Sequence, residues 1–318
     1  MENFLAKIRP PAFPSRPHRE QRPVRLSVRT PDFHSGKKGS IPLRVAITHS
    51  LRPKAGAFCF ATTVTAQQKA AALGARKGGR PIAALTAYDY PTARMLDEAG
   101  IDILLVGDSL GMVVLGFSDT THVTLGHMLH HVAAVARAKP QALIIGDLPI
   151  HTYDTPAMAL DTARQLVAAG ADAVKLEGGI RQAEKVRAIT AAGIPVVGHL
   201  GMLPQRVIEE GGYHKKGKTP EQSDALREGA KALIDAGVFA IVLESVVPAT
   251  ARELTASLPV PTIGIGCGDQ TCDGEIAVIT DVLGSFPWFV PPFAKPEADL
   301  AKDIREAAHQ YIARVQNR

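Results

Sequence analysis

Five apolar, strand-like runs in this 318-residue chain each end in an ionisable residue. The run 103–107 leads to Asp108 and Ser109, 142–146 to Asp147, and 173–176 to Glu177. The run 194–198 leads to His199, and 239–243 to Glu244 and Ser245. Charged side chains are seldom fully buried unless they are paired or bound to a metal. Five of them at the same end of five strands therefore point to one shared site. Carboxylate oxygens from neighbouring strand ends, Asp108, Asp147 and Glu177, suit Mg2+, which completes its six-oxygen shell with water and substrate. The competing role for each acid is helix N-capping, because an Asp after a strand often caps the next helix. Lys175 lies two residues before Glu177 and so shares its face of the strand. Its partner is then either an anionic substrate carboxylate or Glu177 itself. His199 is flanked by Gly198 and by Leu200-Gly201, which leave room for a ligand; its alternative is a structural hydrogen-bonding role. Glu244 ends an almost wholly apolar strand, where desolvation would make it a base usable near neutral pH. Its alternative is a pair with a nearby cation.

Elements that bring these residues together must alternate. Strand-like segments fall near 82–87, 103–107, 142–146, 173–177, 195–199, 239–244, 261–265 and 276–280. Between them, Ala-rich stretches with the 3.6-residue helical period cover 93–99, 125–138, 156–169, 181–192, 220–236 and 249–257, and a short helix over 66–73 precedes the first strand. Pro156 and Pro220 sit near helix starts, and Gly100, Gly170, Gly193 and Gly237 just past helix ends, the usual places for each. Eight strands alternating with helices over about 235 residues predict a (β/α)8 TIM barrel, whose sites are built at the C-terminal ends of the strands. A doubly wound open sheet shares the same local pattern. Gly264-Ile265-Gly266-Cys267-Gly268 follows the seventh strand and reads as a tight turn more than a phosphate loop. The Gly-bounded basic loop 211–218 is either a lid over an anionic substrate or a solvated charge run.

The charge is unevenly spread. Residues 1–65 carry 12 Lys and Arg against three Asp and Glu; the remainder carries 24 against 28. The basic excess belongs to the first segment, and the mildly acidic body argues against nucleic acid as a partner. Residues 1–65, rich in Arg and Pro, are expected to be a disordered basic extension; a transit peptide or sequence ahead of the true start are its other readings. Residues 66–318 are then the catalytic barrel domain. Cys59, Cys267 and Cys272 show no CxxC spacing, so neither a disulfide framework nor a zinc site is expected and a reducing cytoplasm fits. No apolar run approaches the roughly 20 residues of a membrane span.

Several motifs carry a more specific likeness. Leu85-Thr86-Ala87-Tyr88-Asp89-Tyr90, Val106-Gly107-Asp108-Ser109-Leu110-Gly111-Met112, Asp147-Leu148-Pro149, Val174-Lys175-Leu176-Glu177-Gly178-Gly179, Gly198-His199-Leu200-Gly201, Gly211-Gly212-Tyr213 and Thr262-Ile263-Gly264-Ile265-Gly266 occur in that order. Over residues 66–315 the chain resembles the ketopantoate (3-methyl-2-oxobutanoate) hydroxymethyltransferases. The resemblance implies a (β/α)8 barrel that moves a hydroxymethyl group from 5,10-methylenetetrahydrofolate to 3-methyl-2-oxobutanoate, giving 2-dehydropantoate through a Mg2+-stabilised enolate, the first step toward pantothenate and coenzyme A. It implies metal ligands at Asp108 and Asp147 with Glu177 close by, ketoacid contacts at Asp108, Ser109, Lys175 and His199, a catalytic base at Glu244, and a homo-oligomer, commonly a decamer.

Departures from the family pattern are Ser245-Val246-Val247-Pro248, Cys267, His122 and a Pro-rich stretch over 286–297. None touches the seven site positions. Lyases of related barrel type, which use similar enolate chemistry, usually carry a Lys-Lys-Cys-Gly-His loop; here Lys215-Lys216-Gly217 is only an echo of it.

Overall fold

Short runs of Ile, Leu, Val and Ala favour extended backbone, and eight of them become parallel strands. In a computed structural model that describes residues 64–318, these are β1 (Ile82–Thr86), β2 (Ile103–Val106), β3 (Leu143–Asp147), β4 (Ala173–Glu177), β5 (Val196–Gly201), β6 (Ala240–Glu244), β7 (Thr262–Ile265) and β8 (Gly274–Ala277). The helices are α1 (Ala66–Gly74), α2 (Tyr90–Glu98), α3 (Leu110–Val113), α4 (Leu125–Ala136), α5 (Pro156–Ala169), α6 (Ala183–Ala191), α7 (Pro220–Asp235), α8 (Pro248–Ser257), α9 (Ile279–Val282) and α10 (Leu300–Gln316). The basic extension expected over residues 1–65 falls, up to residue 63, outside the described residues, as does Cys59.

Each strand pairs in parallel with the next, and β8 pairs back onto β1 through Ile82↔Gly274 to Leu85↔Ala277. That last ladder closes the barrel and distinguishes it from a doubly wound sheet. The eighth strand begins two residues earlier than its sequence pattern suggests, and α10 has no counterpart in the sequence reading. Its apolar residues are interleaved with charged ones, and among its residues only Ala301 is buried.

Alternation along each strand divides the core in two. Outward residues such as Leu104, Ile144, Val174 and Ile241 pack under the helices against Val132, Leu166, Val186 and Leu233. Inward residues, including Ile103, Leu143, Ala173, Val197, Ala240 and Ile263, fill the barrel, and Ala70 and Leu73 of α1 join them from one end. Lys69 of α1 donates to the carbonyls of Pro140 and Ala142, ahead of β3, and to Asp172, ahead of β4. Helix α1 therefore plugs the N-terminal end and leaves the C-terminal end as the mouth. Fully burying each Leu, Ile or Val in these layers contributes about 1.5–3 kcal/mol.

The plug is held in shape by its cap. Thr65 Oγ1 accepts from the Gln68 N–H, and the Gln68 side chain accepts from the Thr65 N–H. Thr65→Ala is expected to cost about 1 kcal/mol and to lower the melting temperature by about 2–4 °C. An unchanged thermal unfolding curve would show that α1 unfolds separately from the barrel.

Candidate active site

Strand parity continues from the core into the mouth. Leu143 and Ile145 point inward, so Asp147 does too; Ala173 is followed by Lys175 and Glu177, Val197 by His199, and Ala240 and Val242 by Glu244. Register then sets acids against bases. Asp147 and Lys175 are cross-strand partners, as are Glu177 and His199, while Glu244 faces Gly201. Lys175 Nζ lies 3.0 Å from Asp147 Oδ1. His199 Nδ1 lies 3.5 Å from Glu177 Oε1, and its Nε2 lies 3.3 Å from Glu244 Oε2. Asp108 enters from the turn after β2, where its N–H donates to Asp147 Oδ2 at 3.1 Å. Gly107 eases that approach, because a Cβ there would crowd Ser109 Oγ at 3.1 Å. Gly201, at φ 104°, is far more constrained: a Cβ would sit 2.1 Å from the Glu244 carbonyl oxygen. Ser109 Oγ shares a 2.9 Å hydrogen bond with the Tyr88 hydroxyl. Thus all seven expected positions surround one end of the barrel. The capping alternative for the acids is not what is seen: neither Asp108, Asp147 nor Glu177 caps a helix, whereas Asp89 and Asp119 do.

The cluster is almost dry. Asp108, Asp147, Lys175, Glu177 and His199 are all buried. Burial, reinforced by the charges of Asp147 and Glu177, drives the Asp108 carboxyl well above its usual range; Lys175 and a hydrogen bond from Gln205 offset this only in part. Burial raises Asp147 as well, against the pull of Lys175. Glu177 sits lower than usual because the His199 imidazole 3.5 Å away, Lys175's charge and the Gln205 N–H outweigh its burial. For Lys175, the three carboxylates overcome desolvation and hold the ammonium charged. For His199, burial and Lys175 disfavour the charge, yet Glu177 and Glu244 carry its pKa to about 9. Glu244 is less enclosed than its apolar strand suggests. Its side chain keeps 18% exposure, and it faces the His199 imidazole.

Two basic groups thus meet four carboxylates, so charge balance calls for a dication. The oxygens agree. Asp147 Oδ2 and Glu177 Oε2 each accept a backbone N–H, while Asp147 Oδ1 and Glu177 Oε1 are buried without a hydrogen-bond partner. Lys175 lies close to Asp147 Oδ1 without the geometry of a hydrogen bond. Among the described residues no three His, Cys, Asp or Glu side chains form a ready metal cage. Mg2+ needs none, since it binds through one or two carboxylates and keeps several waters. Asp108 and Asp147, tied together by one hydrogen bond, fit that requirement.

Two residues beside the site, Gln205 and Tyr153, escape sequence reasoning. Gln205 is buried in the turn Pro204–Arg206, where it contacts Asp108, Glu177 and the Leu148 carbonyl, and the Tyr153 hydroxyl donates to its Oε1. A polar residue in an irregular turn carries no periodic signal. Tyr88 had one, as part of the run 85–90. Loop 211–218 crosses toward the mouth: the Tyr213 hydroxyl donates to Met112 Sδ at 3.9 Å, and Lys216 is stitched to Ser245 and Val247 by backbone hydrogen bonds. Burial and the carboxylates of Glu244, Asp119 and Asp108 push the Tyr213 hydroxyl up to about 12. Lys216 pairs with Glu210, whereas Lys215 and Lys218 face solvent. Gly266 and Gly268 both take positive φ, consistent with a tight turn after β7.

Fold and cluster define a (β/α)8-barrel enzyme with a buried acidic centre at the C-terminal mouth. The chain belongs to the ketopantoate hydroxymethyltransferase family, whose sequence pattern matches residues 67–318. It is 53% identical over 242 residues to the 3-methyl-2-oxobutanoate hydroxymethyltransferase of Ignicoccus hospitalis, covering 76% of this chain and 91% of that protein. It is 55% identical over 240 residues to the protein of that name from Caldivirga maquilingensis, covering 75% and 90%. Similar solved structures include a putative phosphonomutase from Burkholderia cenocepacia J2315, at TM-score 0.55 and 17% identity over 79% of this chain and 99% of that one. Phosphonopyruvate hydrolase in complex with oxalate and Mg2+ superposes at TM-score 0.54 and 17% identity over 80% and 87%. At such identity these two show a shared fold.

The raised pKa of His199 has a sign that can be tested. A group whose pKa rises on folding stabilises the protein fully below its unfolded value, near 6.5. That contribution is lost as pH climbs through about 9. In metal-free protein the His199 imidazole should titrate near pH 9 by NMR, and Glu244→Gln should lower the midpoint. A midpoint at or below 6.5 would contradict the paired imidazolium.

Proposed function

We propose that this enzyme transfers a hydroxymethyl group from 5,10-methylenetetrahydrofolate to 3-methyl-2-oxobutanoate, forming 2-dehydropantoate for pantothenate synthesis. The observation that carries this reading is the buried cluster with two more acids than bases, in a chain of this family. Asp108 and Asp147 hold Mg2+, with Glu177 beside them. When bound, Mg2+ supplies Lewis acidity to a chelating 2-oxo acid and stabilises negative charge as it develops.

The chain's own groups do the rest. Lys175 and His199 present positive charge, and Ser109 a hydroxyl, to the ketoacid carboxylate. Glu244, the most open acid of the cluster, takes the proton from C3 of the ketoacid. His199 orients Glu244 from 3.3 Å. The carbanionic C3 forms a carbon–carbon bond to the one-carbon unit, water supplies the hydroxyl, and tetrahydrofolate leaves. Loop 211–218, held to Ser245 and Met112, limits the access of bulk water to this step.

Residues 1–65 are read as a basic extension that the reaction does not use; the family match begins at residue 67. The enzyme is cytoplasmic, and among the described residues no helix is long and apolar enough to cross a membrane. It acts as a homo-oligomer, in keeping with the exposed Ile304, Tyr311, Ile312 and Val315 along α10. Nucleic acid is not a partner of the mildly acidic body.

Purified enzyme is expected to convert 3-methyl-2-oxobutanoate and methylenetetrahydrofolate to 2-dehydropantoate in a Mg2+-dependent way. In D2O without folate it is expected to exchange the C3 proton of the ketoacid. Glu244→Gln should lower both rates by about 10²–10⁴, and Asp108→Ala should abolish Mg2+ dependence along with turnover. A folded, Mg2+-binding protein that neither exchanges nor transfers would redirect attention to lyase substrates.

A further inference from the structure

We propose that Gln205, oriented by Tyr153, is a positioning residue that turns Asp108 and Glu177 toward the cation and so sets its affinity. The inference rests on the reading of Asp108 as a metal ligand. Both partners of the Gln205 amide nitrogen, Asp108 Oδ2 at 2.7 Å and the Leu148 carbonyl at 3.0 Å, accept hydrogen bonds. The group facing them is therefore the NH2, with both its protons used. The Tyr153 hydroxyl donates to the other end of the amide, Oε1. The Gln205 backbone N–H donates to Glu177 Oε2 at 3.1 Å. One residue thus pins one oxygen of an acid after β2 and one oxygen of an acid on β4. Asp108 Oδ1 and Glu177 Oε1 are the oxygens left unpinned.

The turn Pro204–Arg206 closes on its own backbone hydrogen bonds, and the Gln205 bonds are what tie it to the two acids. Tyr153 adds a third bond that holds the amide in this direction. Without its proton, a 180° flip, which sets Oε1 against Asp108 Oδ2 and the Leu148 carbonyl, is opposed by two bonds instead of three. Partners that orient metal-binding side chains typically change affinity about 10–100-fold when removed.

The test is Mn2+ binding to the full chain, read by electron paramagnetic resonance without substrate, in wild type, Gln205→Met, Tyr153→Phe and the double variant. Gln205→Met is expected to weaken Mn2+ about 10–100-fold, and Tyr153→Phe to weaken it less. Because Tyr153 acts through Gln205, the double variant should match Gln205→Met alone, whereas a packing role would make the losses add. Unchanged affinity in folded Gln205→Met, or additive losses, overturns the proposal. If Gln205→Met does not fold, Tyr153→Phe decides it: weaker Mn2+ supports the clamp and unchanged Mn2+ overturns it. Wild-type protein that binds no Mn2+ overturns the metal reading and this inference together. Intact Mn2+ binding without hydroxymethyl transfer bears on the proposed reaction alone.

Discussion

Four carboxylates and two basic side chains share one nearly dry barrel mouth, and that imbalance shapes everything around it. Desolvating an ion costs several kcal/mol even after relaxation, and pairing repays this only with good geometry. Asp147 with Lys175, and His199 with both Glu177 and Glu244, lie at ion-pair distance but without hydrogen-bond geometry, so this cluster is only partly compensated. Asp108 has no ion-pair partner of its own, and burial holds its carboxyl well above its ordinary range. A site built in this way is poised for a dication and an anionic ligand together. On the proposed reading a cation would offset the surplus acid, while Lys175 and His199 would offer charge to the ligand.

The scaffold bears the cost of that cluster. Two apolar layers, one inside the barrel and one beneath the helices, surround the strands. Helix α1 seals the far end, so the polar end alone opens to solvent. Backbone choices at the mouth serve close approach. Gly107 eases the approach of Asp147 to the Asp108 N–H, and Gly201 lets β5 lie against the end of β6. A larger residue at Gly201 would meet the backbone of Glu244 directly.

Burial also sorts the acids by task. Those enclosed deepest, Asp108, Asp147 and Glu177, are tied down through backbone or amide donors. Glu244 stands nearer the opening, fixed from one side by His199. Groups that hold an ion benefit from rigidity, whereas a group that moves a proton must meet its substrate. On the proposed reading, depth in the mouth separates these duties among residues of nearly the same chemistry.

Much of this was legible in the residues. Alternation of apolar runs and Ala-rich helices indicated eight βα units, and the acids and histidine at the run ends marked the mouth. Asp147, Lys175, Glu177, His199 and Glu244 followed from local pattern, because an inward parity carries along a strand, whereas Asp108 and Ser109 stand beyond β2 and were marked by the end of its apolar run and by the family resemblance. Other features were not legible. Barrel closure depends on the β8–β1 ladder between segments almost 200 residues apart, which no local period encodes. Gln205 and Tyr153 lie in turns, where polar residues are ordinary, and only their burial reveals them. The environment of Glu244 likewise depended on neighbouring strands: an apolar run suggested a desolvated acid, but the register placed it at the rim beside His199. Sequence alone determined which residues end the strand-like runs and, for those on a strand, which way they face, since a two-residue period sets the facing. Tertiary structure decided which acid meets which base and which carboxylate is left over, since register and loop packing join residues far apart in the chain.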